Sequence, residues 1–337
     1  MNKGRMAMTM DHSPLPPVAD DQLIVVANEW HRLGHRLVFA FVIQTWGSSP
    51  RQVGSIMLIR DDQTISGSVS GGCVEGAVVE AAMTLMDSAG CQRLDFGVAD
   101  ADAWEVGLSC GGKISIWLVA VAASYFSADL LNETASAIAA REPFGLQFDL
   151  ANGQVQLVPP PDASVLDGTS FIFLQMPRPR LVIVGAVHIS QHLAHLAKQI
   201  GFCVSIIDPR GIFATSERFP GVALYNCWPD EMLAEMALDP ETAMVTLTHD
   251  PKIDDAALKL ALSNPLFYVA SLGSKKTHAA RLERLAAAGF DAAACERIHG
   301  PAGLDIGAKT PAEIAVSVAA ELVSAYRQRQ GAGDVTV

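Results

Sequence analysis

The chain has no CxxC pair, no apolar run long enough to span a bilayer, no excess of basic charge and few aromatic residues. Each absence removes a class of function. Six cysteines (Cys73, Cys91, Cys110, Cys203, Cys227, Cys295) are scattered along the chain; such spacing fits reduced thiols rather than a disulfide framework or a zinc knuckle. The most apolar run, Leu37 to Ile43, is of strand length, well short of the roughly 18 residues a membrane helix needs. Acidic residues outnumber basic ones 36 to 24, for a formal charge of −12. Nucleic acids and anionic membranes require a basic face, so neither is expected as a partner. The amino-terminal stretch lacks the apolar core of a secretory signal, and residues 1–19 read as a disordered lead-in; a cytoplasmic location is the expectation. There is no internal repeat and no low-complexity tract.

What is present is an aliphatic chain of 337 residues, half of them hydrophobic, long enough for two α/β domains. In the first part, residues 20–158, periodicity predicts a helix over 20–33, strands over 37–44, 54–60 and 64–69, and a helix over 74–86. Strands over 92–96 and 113–121, a helix over 128–140 and a hairpin over 145–158 follow. Pro159-Pro160-Pro161 is stiff and extended, which places a boundary there and a linker over 159–179 with one strand of its own over 171–174. Residues 180–330 alternate regularly between strands and helices, the pattern of a Rossmann-like, doubly wound parallel sheet. Thr310, Pro311 and Glu313 supply a full start signal for the last helix. That helix is apolar and rich in small residues, and suits either a homodimer face or packing on its own sheet.

Leu181-Val182-Ile183-Val184-Gly185 has the place and shape of a first dinucleotide-binding turn, and Asp208 closes the next strand where a ribose-binding carboxylate belongs. The glycine positions, however, read Gly185, Val187 and Ser190. A Cβ at the second obstructs close approach of a pyrophosphate, and bulk at the third spoils helix–strand packing. The fold is expected to survive without the usual cofactor site. His188 stands in this turn and His249, in Thr248-His249-Asp250, ends a neighbouring strand. Both are placed where open α/β sheets bind ligands, against the competing reading of two hydrogen-bonded structural histidines. Ser274 and Lys275 open a helix after a third strand; free N–H groups and lysines there suit a phosphate, or form an ordinary solvated N-cap.

Two further loops combine glycine with cysteine: Ser70-Gly71-Gly72-Cys73-Val74-Glu75 and Gly107-Leu108-Ser109-Cys110-Gly111-Gly112. Glycines let backbone N–H groups curl around an anion, and a thiolate among them can hold a soft metal or attack a sulfur donor. A small cysteine buried in a tight turn is the alternative. Cys110, between Ser109 and the Gly111-Gly112 pair, is the stronger functional candidate and the candidate metal ligand. Cys73 opens a helix whose dipole favours a thiolate. Arg51 is a candidate anion contact or a solvated turn residue. The other four cysteines are assigned to packing.

These segments, with Gly47-Ser48-Ser49-Pro50-Arg51, Thr248-His249-Asp250, Leu272-Gly273-Ser274-Lys275-Lys276-Thr277-His278 and Ile298-His299-Gly300-Pro301-Ala302-Gly303-Leu304-Asp305-Ile306-Gly307, resemble the XdhC/CoxI family of xanthine dehydrogenase accessory proteins. The resemblance runs from about Asp20 to Arg327. It implies a chaperone that binds the molybdenum cofactor (molybdopterin with its molybdenum), assists its sulfuration with a cysteine desulfurase, and inserts it into a xanthine dehydrogenase-type molybdoenzyme. It implies that Cys110 lies near molybdenum or its terminal sulfur, that the glycine loops cradle the pterin and phosphate, and that the second domain forms another wall of the cleft. The family form commonly carries Gly-x-Gly-His where this chain has Gly185-Ala186-Val187-His188, which weakens the case for a nucleotide-extended cofactor. Two other functions stay open: an NAD(P)-dependent oxidoreductase, and a scaffold that docks a desulfurase on its target without holding cofactor.

Overall fold

The structure, a computed structural model, describes residues 22–47, 51–97 and 112–331. The chain forms two compact units, Met1–Pro177 and Arg178–Val337. In the first, a ten-residue strand β1 (Leu37–Trp46) lies at the centre of a five-stranded antiparallel sheet. Its neighbours are β2 (Ile56–Arg60), β3 (Ile65–Gly67), β4 (Cys91–Phe96) and β5 (Lys113–Ala120), in the order β3-β2-β1-β5-β4. The continuous apolar run of β1 follows from burial on both faces. Val38, Ala40 and Val42 pack beneath α2 (Glu75–Ser88), whereas the larger Leu37, Phe39, Phe41 and Ile43 enter a second core with α1 (Leu23–Arg32) and α3 (Ala128–Ala139).

That second core is closed by a four-stranded antiparallel sheet, β7-β6-β9-β8, built from β6 (Phe144–Asp149), β7 (Val155–Val158), β8 (Val165–Asp167) and β9 (Ser170–Gln175). Phe41 meets Phe148 at 4.7 Å and Phe173 at 5.3 Å between ring centroids. Burying each such ring contributes roughly 1.5–3 kcal/mol. The strand expected over 171–174 of the linker is β9, but with β8 it belongs to a core sheet, and Pro159-Pro160-Pro161 connects β7 to β8 within one unit. An extended proline run serves an inter-strand connection as well as an inter-domain one, so composition does not separate the two.

The second unit contains β10 (Arg180–Val184), α4 (His188–Gln199), β11 (Cys203–Ile207), β12 (Ala223–Tyr225), α5 (Pro229–Glu235), β13 (Thr242–Thr246), α6 (Pro251–Leu262), β14 (Tyr268–Ser271), α7 (Lys275–Ala287), α8 (Ala292–Glu296), β15 (Ile298–His299) and α9 (Pro311–Gly331). The sheet order is β12-β11-β10-β13-β14-β15 with every pair parallel. This is the dinucleotide-fold order, with its reversal between β10 and β13. Alternate residues of β10 divide between two cores: Leu181 and Ile183 face α4 and α9, while Val182 and Val184 face α6. β12 and β15, of three and two residues, are too short to show a period in the sequence.

The last helix starts as expected. Thr310 Oγ1 accepts from the Glu313 N–H at 3.3 Å, and Glu313 accepts from the Thr310 N–H at 3.0 Å, a reciprocal capping box. Ala315, Val318, Ala319 and Leu322 of α9 are buried in the core that α4 shares, so this helix packs on its own sheet. No helix among the described residues is long and apolar enough to cross a membrane.

Candidate functional site

Three loops of the first unit emerge at one end of the five-stranded sheet, because antiparallel pairing puts the end of β1, the start of β2, the ends of β3 and β4 and the start of β5 together. Trp46 pairs with Lys113, Phe41 with Ile56, Met57 with Gly67 and Phe96 with Ile114. A Cβ added at Gly47 would lie 3.6 Å from the Cα of Gly112, so the first loop begins close to the residue that precedes β5. Arg51 Nε donates to the Ser68 carbonyl at 3.0 Å, tying the first loop to the middle one. Of the residues expected here, Arg51, Ser70, Gly71, Gly72, Cys73 and Gly112 are gathered at this end. Ser109, Cys110 and Gly111 lie outside the described residues.

The middle loop forms the expected backbone nest, and the anion it holds is the chain's own. The Glu75 carboxylate accepts from the N–H groups of Ser70 (2.9 Å), Gly71 (3.1 Å), Gly72 (2.9 Å) and Val74 (3.2 Å). It also accepts from the Ser68 hydroxyl at 2.7 Å and the Ser70 hydroxyl at 2.5 Å. Burial pushes this carboxyl up, but the hydroxyls of Ser70 and Ser68 and the Ser70 N–H outweigh it and hold it at about 2. Gly71 and Gly72 both have positive φ, 81° and 117°, which lets their N–H groups turn inward. The loop is thereby stiffened, with Cys73 exposed at its tip beside the start of α2. Of the four cysteines assigned to packing, only Cys295 is buried. Cys203, the first residue of β11, is exposed.

In the second unit Gly185 and His188 follow β10, His249 follows the neighbouring β13, and Ser274 and Lys275 follow β14 at the same sheet edge. Gly185 ends β10 with φ +109°, and a Cβ there would fall 2.6 Å from Thr248 Cγ2, so glycine is required where the two strand-end loops meet. Ser190, in the third position of the turn, is fully buried; its hydroxyl donates to the Gly185 carbonyl and closes the first turn of α4 onto the strand. His188 begins α4 and is exposed.

Asp208 is fully buried and fully engaged. Its carboxylate accepts from the Ala186 N–H at 2.7 Å, the Arg210 N–H at 2.9 Å, and Arg210 Nε and Nη2 at 2.9 and 2.8 Å. Burial pushes this carboxyl up, but the Arg210 guanidinium and the Ala186 N–H hold it below the usual carboxylate range. A carboxylate presents about four acceptor sites, and all are taken, leaving none for a ribose hydroxyl. The turn is braced from the other side by Arg218, whose Nη1 donates to the Ala186 carbonyl at 2.9 Å.

His249 occupies the left-handed region, φ +63°, a conformation that costs a non-glycine residue about 1 kcal/mol or more and persists where its surroundings impose it. Asp254 imposes it, accepting from the His249 N–H at 3.1 Å and the Thr248 hydroxyl at 2.7 Å. Burial pushes the Asp254 carboxyl above its usual range despite these bonds. Ser274 caps α7, accepting from the Thr277 N–H at 3.1 Å, and Lys275 beside it is exposed. The buried Arg281 secures this third loop by donating from Nη2 to the Leu272 carbonyl at 2.9 Å.

A fourth loop, Gly300–Gly307, was legible only as a motif. Its Gly303 N–H donates to Glu321 at 2.8 Å, as does the Tyr268 hydroxyl at 2.6 Å, and the His299 ring nitrogen Nδ1 lies 3.1 Å from the same carboxylate. Glu75, Arg210, Arg218, Asp254, Arg281 and Glu321 are thus the residues that sequence reasoning did not single out. Each holds a loop rather than presenting a group, and nothing in local spacing marks such a role.

The family model described as the XdhC Rossmann domain matches residues 181–322, and that of the XdhC and CoxI family matches residues 30–97. A Bacillus subtilis protein described as a probable xanthine dehydrogenase subunit is 30% identical over 317 residues, covering 86% of this chain and 93% of its own. The Escherichia coli molybdenum cofactor insertion chaperone PaoD is 28% identical, covering 86% of this chain and 84% of its own. A crystal structure of a xanthine dehydrogenase from Bacillus halodurans shares the fold, with TM-score 0.74 at 24% identity, over 94% of this chain and 98% of that one. Similar along both its halves to these proteins and matched by both family models, the chain belongs to the XdhC and CoxI family.

Proposed function

We propose that this chain carries the molybdenum cofactor as cargo and inserts it into a xanthine dehydrogenase-type enzyme. The observation that carries this reading is the state of the crevice in the second unit. Its ribose-binding carboxylate, Asp208, is consumed by Arg210 and the Ala186 N–H, so an NAD-type oxidoreductase loses its defining contact while the fold and its ligand-binding edge persist. The resident groups suit a phosphate-bearing cargo: exposed His188 and Lys275 and the capped amino end of α7 face the same sheet edge as His249. The likeness to a molybdenum cofactor insertion chaperone along 86% of the chain supports the same reading.

Cys110 would supply a soft thiolate toward molybdenum or its terminal sulfur, Cys73 a second one, and a cysteine desulfurase would be the sulfur source. Mass spectrometry and metal analysis of the protein from a molybdenum-replete host should find molybdopterin and molybdenum at near-equal stoichiometry with the chain. The loaded protein should activate a cofactor-free xanthine dehydrogenase-type enzyme, and Cys110→Ala should weaken retention. Wild-type protein that captures a desulfurase and its target but never retains pterin would replace the carrier with a docking scaffold.

A further inference from the structure

Helical spacing puts His188 and His192 on one face of α4, one turn apart. Their ring centroids are 5.3 Å apart with planes inclined by 36°. His188 is exposed at the start of α4 and His192 is half-buried one turn further on. The separation can be compared with what a shared metal ion demands. A tetrahedral zinc ion takes imidazole nitrogens at about 2.0–2.1 Å, which puts each ring centre about 3.2 Å from the ion and, at about 109°, the two centres about 5.2 Å apart. A square-planar ion, at about 90°, would draw the centres to about 4.5 Å. The observed spacing equals the tetrahedral value to within about 0.1 Å and exceeds the square-planar one; it fixes the ring centres, and zinc titration tests the nitrogens.

We propose that His188 and His192 form a bidentate site for a zinc-class divalent cation at the mouth of the second unit's crevice. Among the described residues no group of three or more His, Cys, Asp or Glu side chains is placed to hold a metal. The site therefore fills half of a tetrahedral sphere and leaves two positions to water or to a donor on a ligand in the crevice. The amino end of α4 carries partial positive charge, so affinity comes from the two coordinate bonds rather than from surrounding charge. The competing account is a pair of rings in simple van der Waals contact, which involves no metal. Metal binding by this pair is independent of the cargo-carrier reading, since it is measured without cofactor retention.

The test uses tag-free, full-length protein and zinc itself, titrated in competition with a chromophoric chelator. His188→Ala and His192→Gln should each weaken the site at least tenfold, the second variant keeping side-chain bulk in the half-buried position. His195→Ala, on the same helix, should leave it unchanged. Cobalt(II) in place of zinc should show the intense visible bands of a tetrahedral site in the wild type, lost in both His188 and His192 variants. Absence of zinc binding by the wild type, or binding that both variants leave intact, overturns the proposal. Loss in His195→Ala instead would assign the metal to a different pair and also overturn it.

Discussion

Replacing Glu75 by Gln is the most direct test of how the first glycine loop is held. Its carboxylate gathers donors from Ser68, Ser70, Gly71, Gly72 and Val74, and lies at about 2 against an ordinary value of 4.5. A difference of that size corresponds to about 3 kcal/mol, and solvent screening around the partly exposed group lowers it to about 2 kcal/mol. Glutamine offers one acceptor oxygen and adds an NH2 facing the same N–H groups, so the nest should open locally rather than unfold the unit. Hydrogen exchange read by mass spectrometry over residues 68–75 should quicken about 30-fold, the factor equivalent to about 2 kcal/mol. Exchange in β10–α4 should not change. The folded carboxyl is depressed, so its contribution is full above about pH 4.5 and lost as pH falls toward 2, and the gap between variant and wild type should narrow over that interval. Exchange that stays within threefold of wild type at pH 7 would refute the account of the nest as a charge-held structure.

Three further outcomes follow from the second unit. Gly185→Ala forces a Cβ to 2.6 Å from Thr248 at φ +109°; strain and overpacking together should cost about 2–3 kcal/mol and lower the melting temperature of that unit by about 5–10 °C. NADH titrated against the wild type should give no saturable fluorescence change in the micromolar range. Arg210→Ala, which strips two hydrogen bonds from the buried Asp208, should destabilise the unit by about 3 kcal/mol without creating an NADH site. Micromolar NADH binding by the wild type would return the crevice to dinucleotide chemistry.

Much of the fold was legible because it rests on short-range regularities. The β-α alternation after Arg180 predicts a parallel sheet, and the structure has one in dinucleotide-fold order. Thr310 and Glu313 announce the start of α9 by a contact spanning three residues. The failures have equally local reasons. β12 and β15 are too short for periodicity, and the proline run before β8 carries the signature of a linker while connecting two strands of one sheet. At the candidate site, the glycines and histidines were visible as residues able to present a group. Their keepers, Arg210 and Asp254 above all, were not, because a loop arginine or an aspartate in the first turn of a helix looks the same in sequence whether or not it ties down another segment.

Sequence alone determined that this chain is α/β with a parallel sheet in its second half, lacks the glycines of a dinucleotide turn, and carries the motifs of the XdhC and CoxI family. All three depend on residue type and spacing. Only the tertiary structure decided how the polar groups are satisfied. The nest of Ser70, Gly71 and Gly72 encloses Glu75, and Asp208 turns from ribose to Arg210. Which donor meets which acceptor depends on how strands and loops converge in space, and buried polar groups must be paired wherever the fold brings them together.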